Sequence, residues 1–209
     1  MSNRKITFYH APQSRSGATL TLMEELGADY ELKVLNLKKE EQRGAAYLAI
    51  NPMGKVPAIV HDGALITEQI AIYTYMADLY PEKGLAPAIG DPQRGPYLRW
   101  LAFYAGCFEP AIGDKFRKVD PGPKSSVPYG SFDDMLNTFV AQIEKGPYLL
   151  GERFTAADVL WGGAMAWATG FGLVPKLPAI ERYMTRVTER PAAKRAQEFD
   201  AKLIEQQAA

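Results

Sequence analysis

The chain has 209 residues, 47% of them hydrophobic and 23% charged, a balance typical of globular proteins that excludes a disordered chain. Lysine plus arginine and aspartate plus glutamate number 24 each, so the formal net charge is zero and predicts neither a nucleic acid nor a membrane as partner. The single cysteine, Cys107, excludes an internal disulfide and a C-x-x-C motif, and without a signal peptide or membrane-spanning stretch we expect a cytoplasmic protein.

Strand and helix patterns alternate over the first 80 residues. Ser14 can cap the first helix, Gly27 can end it, and Asp62-Gly63 is typical of a tight hairpin. The strand-helix-strand start predicts a parallel pair, to which the hairpin adds antiparallel strands. The predicted elements are strands at 6–9, 30–37, 57–60 and 64–66, helices at 14–26 and 69–79, and a short helix or irregular turn at 40–50.

Residues 81–92 are rich in proline and glycine, which predicts a linker. Everything after it is predicted to be helical. Apolar residues from Phe132 to Ile143 follow a helical period, with Ser131 placed to cap their helix. Pro178 and Pro191 are placed to begin two later helices, and residues 119–130 predict an exposed loop.

The segment from Asn51 to Ile59, NPMGKVPAI, leads into the third predicted strand. Proline is tolerated at the first residue of a strand because its nitrogen need not join the ladder. In a cis form of the Val56–Pro57 bond, the Val56 N–H and C=O would face away from the sheet and could pair with an extended peptide. For the dipeptide alone, a trans proline is the commoner explanation.

Thr67, Glu68 and Gln69 lie where the hairpin ends and the next helix begins. A helix N-terminus presents free N–H groups and partial positive charge, which bind a carboxylate. The Glu68 carboxylate can bind an ammonium group, so the two together would recognise an amino-acid head group. Plain capping of the helix by Thr67 and Glu68 is the simpler alternative.

The loop from His10 to Ser16 joins the first strand to the first helix. Ser14 can direct its hydroxyl at a ligand that the helix N–H groups also face, or it can be an ordinary N-cap. A lone loop histidine such as His10 is expected at the surface or in a structural role. No Ser-His-Asp set is evident near Ser14, so we do not expect this serine to attack a substrate.

In this order and at this spacing, the three segments resemble the glutathione S-transferase family. The matching motifs are N-P-x-G-x-V-P from Asn51, T-E-x-x-A-I-x-x-Y from Thr67 and F-T-A-A-D from Phe154. The resemblance implies a thioredoxin-like domain over 1–80, the linker over 81–92 and an all-helical domain over 93–209. Within the last motif, Thr155 and Asp158 predict a capping box that serves folding.

The resemblance also implies how glutathione is bound. The Val56–Pro57 bond would be cis, with the Val56 backbone pairing with the cysteinyl part of the ligand. Glu68 and Gln69 would hold the γ-glutamyl end, although family members usually have serine in place of Gln69, whose amide can still donate.

A basic residue lies near the glycyl carboxylate in many members of the family. Lys39, with Lys38 as a substitute, occupies the matching place in this chain. Both lysines could equally be solvated surface charges.

Family members stabilise the glutathione thiolate with a tyrosine, serine or cysteine in or just after the first loop. Aligning the first strand and helix with bacterial cysteine-type members places Ser14 at their cysteine, with Ser16 and Tyr9 as alternatives. The implied activity is glutathione transfer in detoxification, in which the thiolate attacks a hydrophobic electrophile or reduces a peroxide. Serine cannot form a mixed disulfide, which disfavours thiol exchange.

The electrophile is expected between the domains, against the long helix after the linker. Tyr104, Phe108 and Phe116 could line an apolar pocket there, or they could belong to the helical core. The resemblance further implies a homodimer, and we expect Cys107 to be a buried helical cysteine.

No metal site is implied, because the two histidines, His10 and His61, are assigned to unrelated loops. A non-catalytic interaction module built on the same architecture is the alternative function. The intact Val56–Pro57 and Glu68 favour a retained glutathione site.

Overall fold

The structure is a computed structural model that describes residues 4–208. The chain divides into two compact units, Met1–Gly84 with Arg190–Ala209, and Leu85–Glu189. The first unit contains the sheet and the second is helical, which confirms the predicted fold class. The boundary after Gly84 falls within the predicted linker, and the last helix belongs to the first unit.

The elements follow the predicted order closely. The first unit contains β1 (Ile6–His10), α1 (Ser16–Leu26), β2 (Tyr30–Val34), α2 (Ala45–Leu48), β3 (Ala58–His61), β4 (Ala64–Ile66) and α3 (Gln69–Leu79). The helices that follow are α4 (Arg94–Phe103), α5 (Glu109–Arg117), α6 (Phe132–Ile143), α7 (Ala156–Gly170), α8 (Pro178–Thr188) and α9 (Pro191–Ala208).

Differences from the predicted elements lie mainly at their ends. α1 begins at Ser16 rather than Ser14, and β2 ends at Val34. Residues 40–50, predicted to be a short helix or irregular turn, contain a 3-10 turn, Glu41–Arg43, followed by α2. A π-helical turn, Tyr104–Phe108, joins α4 to α5.

The four-stranded sheet has the order β2-β1-β3-β4. β1 pairs with β2 in parallel and with β3 antiparallel, and β3 pairs antiparallel with β4. These pairings confirm the predicted parallel pair and hairpin. Alternate residues of β1 are buried, namely Ile6, Phe8 and His10.

The last helix, α9, packs along α1. Arg190 donates to both carboxylate oxygens of Glu25, at 2.6 and 2.9 Å, and Arg195 donates to Glu24 at 2.9 Å. Three small residues of α9, Ala192, Ala193 and Ala196, are buried. Small side chains allow two helices to approach closely, so this pairing fixes the beginning of α9 beside the end of α1.

Trp161 of α7 is at the centre of the helical unit. Its ring stacks on Phe139 with the centroids 4.4 Å apart, and its Nε1 donates to the Trp100 carbonyl at 3.0 Å. The buried indole therefore has a partner for its polar atom. Within residues 4–208, no helix combines the length and apolar character needed to cross a membrane.

The predicted capping box is present at the start of α7. The Asp158 carboxylate accepts from the Thr155 N–H at 2.9 Å and the Leu149 N–H at 2.8 Å, as well as from the Thr155 and Tyr183 hydroxyls. Burial raises the pKa of Asp158 to about 6, against the opposing effect of these hydrogen bonds. One carboxylate thus joins α7, the segment before it and α8.

We expect Asp158→Ala to lower the free energy of unfolding by roughly 3 kcal/mol or more, because it leaves several buried donors without an acceptor. Urea unfolding followed by circular dichroism measures the change. Asp133→Ala is the matched control, since Asp133 is exposed in the first turn of α6 and its loss should cost at most about 1 kcal/mol. Equal losses in the two variants would contradict a structural role for the Asp158 network.

Candidate functional site

Several loops converge at one edge of the sheet, where β1 ends. Antiparallel pairing of Tyr9 with Ala58 brings the start of β3 beside the end of β1. Parallel pairing continues past the end of β2, where the Leu35 N–H donates to the His10 carbonyl at 2.8 Å. The loop after β1, the turn after β2 and the segment before β3 therefore meet there.

Ser14 lies in the loop before α1, with its side chain half-buried. Its hydroxyl oxygen lies 2.7 Å from the Ala11 carbonyl oxygen and 2.7 Å from Ser16 Oγ. Ser14 also accepts from the first turn of α1, through its hydroxyl from the Ser16 N–H and through its carbonyl from the Gly17 N–H. It therefore helps to satisfy the helix start from two residues upstream.

Ser16 is completely buried, at 0% exposure. Its hydroxyl oxygen accepts from the Ala11 N–H at 3.0 Å and lies 2.8 Å from His10 Nδ1. Of the two serines, Ser14 is therefore the one whose hydroxyl lies nearer to solvent, while Ser16 is behind it.

His10 requires a correction to the sequence prediction. It is the last residue of β1 rather than a loop residue, it is 0% exposed, and its Nε2 lies 2.6 Å from Asp200 Oδ1. Asp200, His10 and Ser16 thus form the Ser-His-Asp set that was not evident from the sequence. Since Asp200 is 190 positions from His10, no local motif could reveal the pair.

Two sequence signals do point to these residues in retrospect. His10 continues the buried alternation of β1, so the strand period places it inside. Asp200 follows the buried Ala193 and Ala196 at helical spacing, so it lies on the buried stripe of α9. A charged residue on a buried stripe needs a partner, and His10 provides one.

Tyr9 is half-buried in β1, and its ring centroid lies 5.3 Å from that of Tyr47. The Tyr47 hydroxyl donates to the Lys55 carbonyl at 2.6 Å. Tyr9 therefore packs against a residue that supports the segment before β3.

The Val56–Pro57 peptide bond is cis, as the resemblance implies. Two side chains with no predicted supporting role fix this segment. Tyr47 and Asn51 both donate to the Lys55 carbonyl, and Asn51 also accepts from the Met53 N–H at 3.1 Å. Among the described residues, the Val56 N–H and C=O have no backbone partner.

Glu68 and Gln69 lie at the start of α3. Glu68 is exposed and has a φ of 62°, which is uncommon for a residue other than glycine. The Gln69 amide donates to the Arg15 carbonyl at 3.2 Å. This contact brings the start of α3 next to the loop that carries Ser14.

The two lysines lie on different sides of one turn. The Asn36 side chain accepts from the N–H groups of both Lys38 and Lys39, and both lysines are exposed. Lys38 lines a cavity of about 160 Å³ together with Pro12 and Gln13. Lys39 lines a separate cavity, so Lys38 is the lysine beside the first loop.

The three predicted pocket residues lie in the helical unit. Tyr104 and Phe108 are buried against Trp161, with ring centroids 5.6 and 5.1 Å away, whereas Phe116 is 64% exposed. Cys107 was expected to be buried, but it is only half-buried in the π-helical turn, and partial burial raises the pKa of its thiol.

Two family models match the chain. Residues 4–78 match the model of the glutathione S-transferase N-terminal domain, and residues 131–191 match that of the glutathione S-transferase C-terminal domain. Together they cover more than half of the chain.

The chain aligns with similar curated proteins over nearly the whole of their length. The chain is 30% identical to glutathione S-transferase GstA of Escherichia coli O157:H7, over 88% of this chain and 92% of that protein. It is 27% identical to the disulfide-bond oxidoreductase YfcG of Escherichia coli K12, over 91% and 94%.

Solved structures also resemble this chain over nearly its whole length. A glutathione transferase from Methylococcus capsulatus has a TM-score of 0.81 at 32% identity, covering 94% of this chain and 98% of that one. A glutathione transferase homolog from Sulfitobacter, solved with bound glutathione, has a TM-score of 0.76 at 27% identity, with the same coverage.

Gly54 tests how tightly the segment before β3 is built. Its φ is +58°, and an added Cβ would lie 2.7 Å from the Gln42 carbonyl oxygen. We expect Gly54→Ala to lower the free energy of unfolding by roughly 3 kcal/mol or more, because a left-handed conformation and a backbone clash combine.

Gly63→Ala is the matched control for this measurement. Gly63 also has a positive φ, but an added Cβ would meet no atom within 4 Å. It should therefore lose only about 1–2 kcal/mol in the same urea titration. Equal losses would show that the segment moves away from Gln42 without cost.

Proposed function

The chain belongs to the glutathione S-transferase family, and we propose that it binds glutathione in its first unit and activates the thiol for attack on a hydrophobic electrophile. Reduction of a peroxide through the same thiolate is part of the proposal. The observation that carries it is the position of Ser14. Its hydroxyl is the outer member of a hydrogen-bonded group at the start of α1, beside the loops that would hold the ligand.

Three features of the same edge support glutathione as the ligand. The Val56 backbone groups are unpartnered within the described residues and can pair with the cysteinyl part of a peptide. The start of α3 suits the γ-glutamyl carboxylate, with the exposed Glu68 available to its ammonium group. The Gln69–Arg15 contact holds this end next to Ser14.

For the glycyl carboxylate we propose Lys38, with Lys39 as the alternative. Lys38 shares a cavity with two residues of the first loop. Its ammonium group lies on a flexible stem and can reach a carboxylate at the rim of the site.

The free-energy requirement for activation is modest. A free thiol has a pKa near 8.5, and lowering it by about 2 needs about 2.7 kcal/mol of selective stabilisation. A hydrogen bond from a hydroxyl to an anion contributes roughly 1.5–3 kcal/mol, and a helix N-terminus adds about 0.3–1 kcal/mol. Ser14 at the start of α1 can therefore supply the required shift, and positioning of the two reactants would supply further acceleration.

The choice among the three hydroxyl candidates follows from burial. Ser16 has no exposed surface, and the Tyr9 ring packs on Tyr47. Ser14 is therefore proposed as the residue that touches the thiol. Because it carries oxygen rather than sulfur at this point, it cannot form a mixed disulfide, which favours conjugation or peroxide reduction over thiol exchange.

For the electrophile, we propose a contact with Phe116, the exposed member of the three predicted aromatic residues. Tyr104 and Phe108 are better explained as core. A homodimer is also proposed, on the family resemblance alone.

The experiment that tests this function is calorimetry of glutathione binding across pH, with the ultraviolet absorbance of the bound thiolate recorded in parallel. Binding with a thiolate that persists below the pKa of the free thiol is the expected result. Absence of binding would favour a non-catalytic interaction module. The observation that favours such a module is that the Gln69 amide already donates to a carbonyl of the protein itself.

Ser14→Ala is expected to lower kcat/KM for a model aryl halide roughly 10- to 100-fold, because one hydrogen bond to an anion is lost. Glutathione affinity should change little, because the other contacts remain. Ser125→Ala, in an exposed loop of the helical unit, is the control and should leave the rate unchanged. Full activity of Ser14→Ala would move the role to Ser16 or Tyr9.

Glu68→Gln should raise the Kd for glutathione about tenfold or more, since it removes the charge that pairs with the ammonium group. Glu40→Gln is a close control, because Glu40 is likewise exposed and has a φ of 56°. Calorimetry measures both variants at one pH. An unaltered Kd in Glu68→Gln would remove Glu68 from the binding site.

A further inference from the structure

Four polar side chains of the first unit form one continuous hydrogen-bonded chain. Asp200 Oδ1 lies 2.6 Å from His10 Nε2, His10 Nδ1 lies 2.8 Å from Ser16 Oγ, and Ser16 Oγ lies 2.7 Å from Ser14 Oγ. They come from α9, β1, α1 and the loop between the last two. The chain runs from the surface of α9 through the interior to the proposed thiol position.

The carboxylate determines how the protons are arranged. An ionised aspartate only accepts, so His10 Nε2 carries the proton that it donates to Asp200. In the neutral imidazole, Nδ1 is then an acceptor, and the Ser16 hydroxyl donates to it at 2.8 Å in preference to the Ala11 carbonyl oxygen at 3.1 Å. Ser16 Oγ keeps its lone pairs for the Ala11 N–H at 3.0 Å and for the Ser14 hydroxyl.

With its proton directed inward, Ser14 turns a lone pair outward. Both inward partners of its hydroxyl, Ser16 Oγ and the Ala11 carbonyl, lie at 2.7 Å. The outer end of the chain can therefore accept a proton from a thiol, whereas a thiolate needs the opposite direction, with Ser14 donating outward. Moving one proton along the chain reverses every hydroxyl in it.

Burial decides which member can touch a substrate. His10 and Ser16 are 0% exposed, the Asp200 side chain is 19% exposed, and Ser14 is half-buried. Ser16 is therefore excluded as a nucleophile, although its contacts resemble those of a hydrolytic triad. Ser14 is the catalytic residue of the chain, and the other three are positioning residues that act through it.

We propose that this Asp200–His10–Ser16–Ser14 chain takes up the thiol proton of glutathione when the thiolate forms, an inference that rests on the proposed function. The S–H bond breaks and its proton binds Ser14 Oγ. The Ser14 proton passes to Ser16 Oγ, and the Ser16 proton passes to His10 Nδ1. The products are a thiolate that accepts from Ser14 and an imidazolium paired with the Asp200 carboxylate, with no change in electron count.

The Asp200 carboxylate stabilises the buried imidazolium. A charge without a partner in the interior is strongly disfavoured, whereas an ion pair with a direct hydrogen bond offsets the desolvation. The packing of α9 delivers this carboxylate, since the Arg190–Glu25 pair fixes α9 on α1. The carboxylate lies directly beside the first turn of α1, since an added Cβ at Gly17 would be in van der Waals contact with Asp200 Oδ2 at 3.4 Å.

A proton count on the full-length protein tests the proposal. Glutathione binding is measured by calorimetry in two buffers of different ionisation enthalpy, alongside the thiolate absorbance. S-methylglutathione, which has no thiol proton, is titrated in parallel, and the difference between the two ligands isolates that proton. We expect the wild-type protein to form thiolate with close to no net proton release. Release of one proton per thiolate would overturn the proposal.

His10→Gln and Asp200→Asn remove the proton acceptor and its counter-charge with little change in size. We expect each to lower the bound thiolate fraction, and any thiolate that still forms should release its proton to the buffer. Binding of S-methylglutathione should be unchanged, which separates this effect from collapse of the loop. Wild-type thiolate without proton release in His10→Gln would contradict the proposed acceptor.

Nitrogen-15 spectra of histidine-labelled protein provide a direct readout. The chain has two histidines, and His61, whose Nδ1 contacts the Tyr75 hydroxyl at 2.5 Å, is the internal reference. His10 should change from the neutral Nε2–H form to the imidazolium with glutathione and stay neutral with S-methylglutathione. A neutral His10 beside a bound thiolate would overturn the proposal alone, whereas no binding of either ligand would overturn it together with the proposed function.

Discussion

A buried imidazole needs partners for both of its ring nitrogens, and at His10 this requirement links the ends of the chain. One nitrogen faces Ser16 at the start of α1 and the other faces Asp200 of α9. The start of α1 cannot move away from β1 without breaking the first contact, and Asp200 of α9 cannot move away from β1 without breaking the second. Since leaving a buried polar group unpaired is costly, the proposed site and the packing of the last helix depend on each other.

The helical unit uses the same principle with a different group. Asp158 is buried and accepts four hydrogen bonds that join α7 to its neighbours. It differs from Asp200 in its surroundings. Asp158 is completely buried and accepts from several donors, whereas Asp200 faces the His10 ring and retains some exposure. A buried carboxylate that accepts from several donors stabilises the fold. A carboxylate opposite an imidazole can also stabilise the positive charge that forms when the imidazole is protonated.

Local patterns predicted most of the fold. The bounds of α3 and α6 follow from apolar periodicity, and the capping residues Ser131 and Thr155 make their hydrogen bonds as predicted. What local patterns do not contain is contact over long separations. The pairing of α9 with α1, and with it the Asp200–His10 bond, arises from two segments that approach only in the folded chain. Asn51 begins the N-P-x-G-x-V-P motif, but the motif does not show that its side chain supports the Lys55 carbonyl, and Tyr47 lies outside the motif altogether.

The sequence presents Ser14 and Ser16 as alternatives, because both are hydroxyls near the start of one helix. In the structure they are neighbours in a single hydrogen-bonded chain, one half-exposed and one enclosed. Under the proposed function, the two serines therefore act together in one proton pathway, and neither is an alternative to the other. The outer hydroxyl meets the sulfur, but its proton can point outward only when the inner hydroxyl turns toward it. The direction of the inner hydroxyl is in turn fixed by the protonation of His10, so a residue that no ligand touches determines whether Ser14 is a donor or an acceptor.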